Sequence, residues 1–405
     1  MNTQLLLFAY AFPPENVSGA ARPFRFYRYL PEFGVSPRVI TASPQSLQLP
    51  DVVFVRDEPR DFPRQNWSWH LERMVRKFLL PGELGLTWSR KAAAQSRNLI
   101  SLHSRTAVLS TSPPLSTHLA ALQLKRKLGI PWIADFRDPL NPSGQIAVSH
   151  ANIFSMIEAF FFREADAVIA NTDAVSELWK VRYPAHQEKI HVICNGFDPA
   201  EVILPAPIPQ RTYKHIVHVG ELYRGRHPGL ILDSLNRLIT RGALVPGSLR
   251  LSLIGPSSDD TIPNIDVLRR LAEAGVVEYV PSLMPQEKAR LIACQADALL
   301  LLQPQSDVQI PAKLFEYIRI GRPVLAFIRR GSPTEDILDR SGIPHRSIYP
   351  NDSPEEIDAK LLAFLALRSD SVSPSQWFVE QFNARRQTQM LSAIIEGLPY
   401  QASLT

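Results

Sequence analysis

Cysteine is scarce in this sequence. Cys194 and Cys294 are the only two in 405 residues, and they lie far apart with no CxxC or Cys/His spacing. This pattern excludes a disulfide framework and a structural zinc site, and it favours a reducing compartment.

Long apolar runs are also missing. No segment reaches the roughly 18 apolar residues that a transmembrane helix needs. The N-terminus leads straight into a short apolar stretch, Leu5–Ala9, without the basic region that opens a secretory signal. We therefore expect a soluble, cytoplasmic protein.

The charge is only mildly basic, with a formal net charge of +5 and a pI near 9.2. No dense Lys/Arg run with interleaved aromatic residues occurs, so we expect no nucleic-acid partner. A small positive excess suits anionic phosphate or the anionic inner face of a membrane. An incidental surplus on a cytoplasmic enzyme explains it equally well.

The residues that are present have ordinary globular proportions, with 45% apolar and 20% charged residues. A chain of this length favours two domains of about 200 residues each. Short apolar runs alternate with amphipathic stretches of helix length, which is typical of a parallel α/β sheet. The predicted strands of the first half are Leu5–Ala9, Ser36–Thr41, Thr106–Ser110, Trp132–Asp135, Ala167–Asn171 and Ile190–Cys194. A helix is predicted over Pro114–Leu128, with Ser112 as its cap and Gly129 at its end.

A proline-rich stretch, 199–211, separates this series from a second one. The predicted strands of the second half are His215–Val219, Arg250–Ile254, Glu278–Val280, Ala298–Leu302 and Pro323–Phe327. We expect two Rossmann-like domains facing across a cleft: 1–198, a linker at 199–211, and 212–375. A final amphipathic helix at about 376–398 is expected to cross back onto the first domain.

The segment Asp51–Leu86 interrupts the strand–helix alternation. It combines apolar residues with basic ones: Arg64, Trp67, Trp69, Arg73, Arg76, Lys77, Phe78, Leu79, Leu80, Leu84 and Leu86. One interpretation is a surface that touches the acceptor or a membrane. The other is a long loop packed on its own domain.

Two places in the first half carry candidate site residues. Gly19 lies between the first strand and a helix, where a small residue lets a ligand approach the backbone and the helix amides. Asp135, Arg137 and Asp138 follow a buried strand, and ligands of open α/β sheets bind beyond the carboxyl ends of strands. An ordinary turn at Gly19, and a structural ion pair of Arg137, are the alternatives.

Two places in the second half also carry candidate site residues. Arg224 and Arg226 follow its first strand, where a guanidinium can hold a diphosphate. Ala312, Lys313 and Glu316 open a helix, whose first amides suit phosphate and whose early carboxylate suits a ribose diol. A solvated basic turn and a carboxylate that only compensates the helix dipole are the alternatives.

Taken together, these segments resemble the retaining family 4 glycosyltransferases of the two-domain GT-B type. No single motif is specific, but the series follows the family's order over nearly the whole chain. The matching segments are Tyr10–Pro14 with the loop at Gly19, Ile133–Pro139, Asp166–Asn171, Cys194–Asp198, Gly220–Pro228 and Pro311–Pro323.

The resemblance implies roles for these residues. Arg226 corresponds to the basic residue on the donor pyrophosphate, and Lys313 lies next to the phosphate-binding amides. Glu316 matches the second glutamate of the Glu-x7-Glu motif, which holds the ribose. Gly19 corresponds to the loop that closes over the phosphates. The donor is then a nucleotide sugar, no metal or other cofactor is expected, and Asp135, Arg137 and Asp138 are the catalytic candidates.

The sequence departs from the family pattern at two positions. Val308 stands where the first motif glutamate belongs, and neighbouring Asp307 is a candidate substitute. Glu221 stands where a basic residue usually follows the glycine, so that Arg224 is a candidate replacement. These changes affect the sugar end of the donor pocket.

The resemblance leaves the acceptor open among a glycan, a lipid-linked glycan and a small molecule. It implies retention of configuration, a role in cell-surface polysaccharide or glycoconjugate synthesis, and a cytoplasmic location with peripheral membrane contact as an option. A nucleotide-sugar 2-epimerase of the same fold and a catalytically silent partner subunit are the alternative functions.

Overall fold

The computed structural model describes residues 3–15, 17–44, 49–61, 69–71, 73–74, 83–101, 104–140, 148–203, 207–223, 225–257, 263–282 and 284–400. The chain forms two compact units. Unit 1 comprises Met1–Asp198 and Asn383–Thr405, and unit 2 comprises Pro199–Phe382.

The first segment of unit 1 alternates strands and helices. Its strands are β1 (Thr3–Phe8), β2 (Val35–Thr41), β3 (Val52–Phe54), β4 (Arg105–Ser112), β5 (Trp132–Phe136), β6 (Ala167–Ala170) and β7 (Ile190–Val192). Its helices are α1 (Ser18–Tyr29), α2 (Glu58–Asp61), α3 (Trp88–Ser96), α4 (Ser116–Leu128), α5 (Val148–Glu164) and α6 (Asp173–Arg182), with 3₁₀ turns at Leu30–Phe33, Arg97–Leu99 and Pro184–Lys189.

Unit 2 repeats the alternation. Its strands are β8 (Lys214–Val219), β9 (Leu249–Ile254), β10 (Val277–Val280), β11 (Ala298–Gln303), β12 (Val324–Ile328) and β13 (His345–Ile348). Its helices are α7 (Gly229–Thr240), α8 (Ile265–Glu273), α9 (Gln286–Cys294), α10 (Lys313–Ile320), α11 (Pro333–Arg340), α12 (Pro354–Leu365) and α13 (Gln376–Gln381); α14 (Ala384–Glu396) then returns to unit 1.

Each unit holds one parallel sheet, which confirms the predicted α/β fold class. The order is β3-β2-β1-β4-β5-β6-β7 in unit 1 and β10-β9-β8-β11-β12-β13 in unit 2. The order therefore reverses between β1 and β4, and between β8 and β11. In open parallel sheets ligands bind at such switch points, beyond the carboxyl ends of the strands.

Burial explains why these runs form strands. Leu5–Phe8 in β1 and all of Ala298–Gln303 in β11 are buried. Strands of a parallel sheet are covered by helices on both faces, so they are apolar throughout and not alternating. All strands expected from the sequence are present within a few residues of their predicted bounds.

Two edge strands were not predicted, β3 and β13. β3 has only three residues. β13 reads His-Arg-Ser-Ile, with a single buried residue, Ile348. Short or polar runs at a sheet edge carry no strong apolar signal, so the sequence pattern does not reveal them.

The predicted cap of α4 was wrong. Ser112 is the last residue of β4, and the helix starts at Ser116 with no side-chain cap. The amide of Leu115 instead donates to Oε2 of Glu83, over 2.6 Å. Gly129 ends the helix as predicted, with φ at +66°.

The C-terminal segment forms two helices that pack in different units. α13 packs in unit 2, where Phe378 lies 6.3 Å from Phe315 between ring centroids. α14 begins after Asn383, whose side chain accepts a hydrogen bond from the amide of Arg385. On the side of unit 1, Leu391 and Ile395 of α14 are fully buried in its core.

Candidate functional site

The switch point of unit 2 brings Lys313 against the end of β8. Gly220 follows β8 with φ at +148°, and a Cβ atom there would lie 2.3 Å from Cε of Lys313. Only glycine leaves this space and adopts this backbone conformation readily. The sequence thus places a lysine ammonium beside the carboxyl end of the strand.

Lys313 is the first residue of α10 and is half-buried. Burial lowers its pKa, the carboxylate of Glu316 opposes this, and the positive charge of Arg226 adds to the lowering. Among the described residues, no carboxylate forms an ion pair with Lys313. The charge of Arg226 thus disfavours the charged form of Lys313, and an anion bound beside them would offset this repulsion.

Arg226 belongs to a tight turn after β8. Its amide donates to the carbonyl of Tyr223 over 2.7 Å, and its guanidinium lies 4.7 Å from the centroid of the Tyr223 ring. Its Nη2 donates to Oε1 of Gln303, the last residue of β11, which is only 4% exposed. Gln303 was not found by the sequence analysis, because an isolated glutamine at a strand end carries no motif. Arg224 lies outside the described residues.

His218 lies beside the two cations and is buried. Its Nδ1 is 2.9 Å from the carbonyl oxygen of Leu300. Burial, with a smaller contribution from the charges of Lys313 and Arg226, lowers its pKa to about 3, although the hydrogen bond to the Leu300 carbonyl opposes this. The imidazole is therefore neutral near pH 7.

Glu316 lies in the first turn of α10 and pairs with an arginine that the sequence analysis did not single out. Its Oε1 accepts a hydrogen bond from Nε of Arg290 in α9 over 2.7 Å. Burial alone would lower the pKa of Arg290, but the hydrogen bonds and charges of Glu316 and Glu201 outweigh it and raise the pKa. Glu201 is 3.2 Å from Arg290 Nη2.

The start of α10 combines an exposed residue with an uncapped end. Ala312 is the N-cap residue, and its methyl side chain accepts no hydrogen bond from the helix amides. Amides at such an end are suited to an anion. Tyr317 fixes the helix to β8, because its hydroxyl accepts a hydrogen bond from the amide of Val219 over 3.2 Å.

The loop before α10 holds the unusual position 308. Val308 is half-buried, and neighbouring Asp307 is exposed. The hydroxyl of buried Ser306 accepts from the amides of Val308 and Gln309. The structure therefore places the Asp307 carboxylate in solvent.

In unit 1, Asp135 lies in a buried ion pair. Arg22 of α1 donates to both of its oxygens, over 3.0 Å from Nε and 2.8 Å from Nη2. Arg22 also donates to the carbonyl of Cys194 over 2.9 Å. The pair thus joins α1, β5 and the segment after β7, and it engages both carboxylate oxygens of Asp135.

Arg137 lies at the carboxyl ends of β4 and β5, against Gly19. Its Nε donates to the carbonyl of Ser112 over 3.0 Å, and its Nη2 donates to that of Pro113. A Cβ atom at Gly19 would lie 2.3 Å from Nη1 of Arg137. Burial lowers the pKa of Arg137, and the charges of Asp138 and Asp135 oppose this.

A second buried carboxylate holds the loop after β5. Glu158 of α5 is fully buried, and its Oε2 accepts from the amide of Leu140 over 2.8 Å. Its Oε1 accepts from Tyr183 over 2.9 Å and from Arg182 over 3.0 Å. Glu158 thereby anchors the chain two residues after Asp138. The sequence analysis missed it, since it lies inside an apolar helix.

The candidate residues therefore form two groups. Gly19, Asp135, Arg137 and Asp138 gather at the carboxyl edge of the unit 1 sheet, and Arg226, Ala312, Lys313 and Glu316 at that of unit 2. Each group lies at a topological switch point, where ligands of such sheets bind.

Most of the apolar and basic residues in the segment Asp51–Leu86 lie outside the described residues. In the described part, the guanidinium carbon of Arg73 lies 5.2 Å from the centroid of the Trp69 ring. The side chains of Leu71 and Met74 are 42% and 56% exposed. β3 and α2 also belong to this segment, so part of it is regular structure. Across the described residues, no helix has the length and apolar character needed to cross a bilayer.

Comparison with known proteins supports these assignments of fold. Residues 23–201 match the family model described as Glycosyltransferase Family 4. A D-inositol 3-phosphate glycosyltransferase of Nocardiopsis dassonvillei is 28% identical over 206 residues, which is 48% of this chain and 47% of that protein. The matches thus span about half or less of the curated relatives.

Solved structures share the fold over nearly the whole chain. The trehalose-phosphate synthase of Burkholderia xenovorans, in complex with glucose-6-phosphate, has a TM-score of 0.66 at 12% identity, covering 97% of this chain and 100% of that one. Anabaena HepE, in complex with UDP-glucose, has a TM-score of 0.58 at 14% identity, covering 98% and 100%. The chain is thus similar to glycosyltransferase family 4 over residues 23–201, and its two parallel-sheet units share the GT-B fold of the solved structures.

Proposed function

We propose that the chain transfers a glycosyl group from a nucleotide-diphosphate sugar to an acceptor hydroxyl, with retention of configuration. The observation that carries this proposal is the convergence of Arg226, Lys313 and the uncapped start of α10 at the switch point of unit 2. Two cations and a helix start without a side-chain cap suit a diphosphate.

The donor's parts are assigned to these residues. Arg226 and Lys313 bind the diphosphate, together with the first amides of α10 after Ala312. Glu316 accepts hydrogen bonds from the ribose diol. Gly19 and Arg137 of unit 1 are proposed to bind an anionic group of a substrate, since a helix start and a guanidinium meet there.

The reaction makes one bond and breaks one at the anomeric carbon, and it moves one proton. The acceptor oxygen bonds to the anomeric carbon as the bond from that carbon to the phosphate oxygen breaks. The nucleoside diphosphate leaves, and Arg226, Lys313 and the α10 amides stabilise its growing negative charge. The hydroxyl proton passes to Asp138 or to the leaving phosphate. Asp135 positions this region through Arg22, because both of its oxygens are already engaged.

We propose that the leaving group needs no metal, because protein cations supply the positive charge. Transfer by the full chain should then be unchanged by EDTA. A loss of activity that Mg²⁺ or Mn²⁺ restores would refute this part of the proposal.

A phosphorylated small molecule is the acceptor that we propose to test first. The half-buried guanidinium of Arg137 supports this choice, since no described carboxylate forms an ion pair with it. A relative named for D-inositol 3-phosphate, and a neighbour solved with glucose-6-phosphate, point to the same class. A glycan or lipid-linked glycan, in cell-surface polysaccharide or glycoconjugate synthesis, is the alternative. Exposed Leu71 and Met74 beside Arg73 support peripheral membrane contact in that case.

A thermal-shift screen across UDP-, GDP- and ADP-sugars tests the donor site, because a ligand bound only by the folded state raises Tm. The best donor is then incubated with sugar phosphates, inositol phosphates and glycans, and products are measured by mass spectrometry. Epimer formation from UDP-GlcNAc without acceptor would instead support an epimerase. A chain that no nucleotide sugar stabilises would support the silent partner subunit.

A further inference from the structure

Glu316 is held by a guanidinium that no family motif assigns. Arg290 projects from α9, and its Nε donates to Oε1 of Glu316 over 2.7 Å. Its Nη2 lies 3.2 Å from Oε2 of Glu201. The three side chains are 24%, 29% and 47% exposed in the order Arg290, Glu316, Glu201, so this is a half-exposed network at the edge of the site.

The geometry leaves one side of the carboxylate available. Oε1 of Glu316 is occupied by Arg290, whereas none of the described residues donates a hydrogen bond to Oε2. A carboxylate oxygen accepts hydrogen bonds from hydroxyl groups at about the strength of other charge-assisted bonds. Arg290 therefore fixes the direction in which the second oxygen points.

We propose that Arg290 is a positioning residue, which holds the Glu316 carboxylate oriented to accept a ribose hydroxyl of the donor. This rests on the proposed function, in which Glu316 binds the ribose. Glu201 braces Arg290 from its other side, so that the guanidinium does not turn away from Glu316.

Arginine suits this role for a physical reason. Its Nε and Nη2 donors form a rigid planar fork and can engage two carboxylates at fixed angles, whereas a lysine ammonium is a single flexible point charge. An ion pair this exposed contributes little to stability, so its loss should leave the fold intact. Its effect should appear in binding, because a pre-ordered carboxylate loses less conformational freedom when ligand binds.

The experiment separates positioning from a general structural effect. Affinity is measured for the nucleoside diphosphate among UDP, GDP and ADP that raises Tm most, and for its 2′,3′-dideoxy analogue. The variants are Arg290→Gln, Arg290→Lys, Glu201→Gln and Glu316→Ala. Arg269→Gln is the control, since Arg269 forms a more exposed surface pair with Asp266 on α8.

The quantity of interest is the ratio of the two affinities. Wild type should prefer the ribonucleotide, and Glu316→Ala should abolish that preference. Arg290→Gln should reduce the preference by about tenfold, as expected for one hydrogen bond to a charged group, with little change for the dideoxy analogue. Arg290→Lys should fail to restore it, Glu201→Gln should have a smaller effect in the same direction, and Arg269→Gln should match wild type.

Two results overturn the inference while leaving the proposed function standing. One is an unchanged ratio in Arg290→Gln when Glu316→Ala abolishes the preference. The other is an equal loss of affinity for both nucleotides, which means that Arg290 only supports the fold. If Glu316→Ala and Arg226→Ala both bind the ribonucleotide as wild type does, the nucleotide site itself is wrong.

Discussion

Arg22 and Asp135 form a buried ion pair, with side chains only 3% and 0% exposed and a distance of 2.8 Å from Nη2 to Oδ1. Removing one partner leaves an uncompensated charge inside unit 1. We expect Arg22→Leu or Asp135→Asn to lower the free energy of unfolding by about 3–5 kcal/mol. Urea unfolding monitored by circular dichroism measures this loss.

Arg269→Gln serves as the control for that experiment, since a surface ion pair contributes only about 0–1 kcal/mol. If Asp135→Asn keeps wild-type stability and loses all transfer activity, Asp135 takes part in the chemistry directly and not through Arg22.

Gln303 should matter for donor binding more than for stability. Gln303→Leu fills about the same space at the end of β11, but it removes the side-chain oxygen that accepts a hydrogen bond from Arg226. We expect affinity for the nucleoside diphosphate to fall about tenfold, because the guanidinium loses its fixed direction. Isothermal titration calorimetry measures this change.

Gln123→Leu in α4 is the matched control, because the side-chain amide of Gln123 donates to the backbone carbonyl of Leu119 and not to a site residue. It should bind donor as wild type does. Equal affinities for Gln303→Leu and wild type would show that Gln303 has no part in orienting Arg226.

Gly220→Ala should disturb the site through Lys313. The new Cβ would meet Cε of Lys313 at 2.3 Å, on a backbone with φ at +148°. We expect a loss of about 1–3 kcal/mol in unfolding free energy from the backbone strain, together with weaker donor binding. Thermal unfolding with and without nucleotide measures both.

Gly242→Ala separates strain from contact. Gly242 also has positive φ, +71°, but no atom lies within 4 Å of a Cβ placed there. Gly242→Ala should lower the free energy of unfolding by about 1 kcal/mol and leave nucleotide affinity unchanged. Wild-type affinity in Gly220→Ala would mean that Lys313 does not need its present place beside β8.

Acid should destabilise the chain through its buried histidines. Burial lowers the pKa of His118 and of His218 to about 3. The unfolded chain binds these protons more tightly, so this stability is present above about pH 6.5 and is lost as pH falls toward 3. The loss is at most about 1.4 kcal/mol per pH unit for each histidine.

Urea unfolding at several values between about pH 7 and pH 5 checks this slope. His118 packs among Trp132, Phe136 and Phe161, so His118→Phe should preserve the apolar contacts and reduce the pH dependence to the part that His218 contributes. An unaltered slope in that variant would place the acid sensitivity elsewhere.

The sequence was sufficient to predict the parallel strands, because continuous apolar runs such as Ala298–Gln303 form only where both faces of a sheet are covered. It could not reveal the partners of the site residues. Arg22 and Asp135 are 113 positions apart, and Arg226 and Gln303 are 77 apart. Such contacts depend on which strand ends become neighbours, which periodicity does not encode.

The path of the chain also has a practical consequence. Because unit 1 is built from two separate stretches, Met1–Asp198 and Asn383–Thr405, unit 2 is a continuous insertion within it. Deleting the last stretch would remove Leu391 and Ile395 from the core of the unit that begins the chain. During synthesis, the unit that leaves the ribosome first is therefore the last to be completed. Unit 2, by contrast, has all its strands and helices in one continuous stretch, so its fold does not wait for the last residues of the chain.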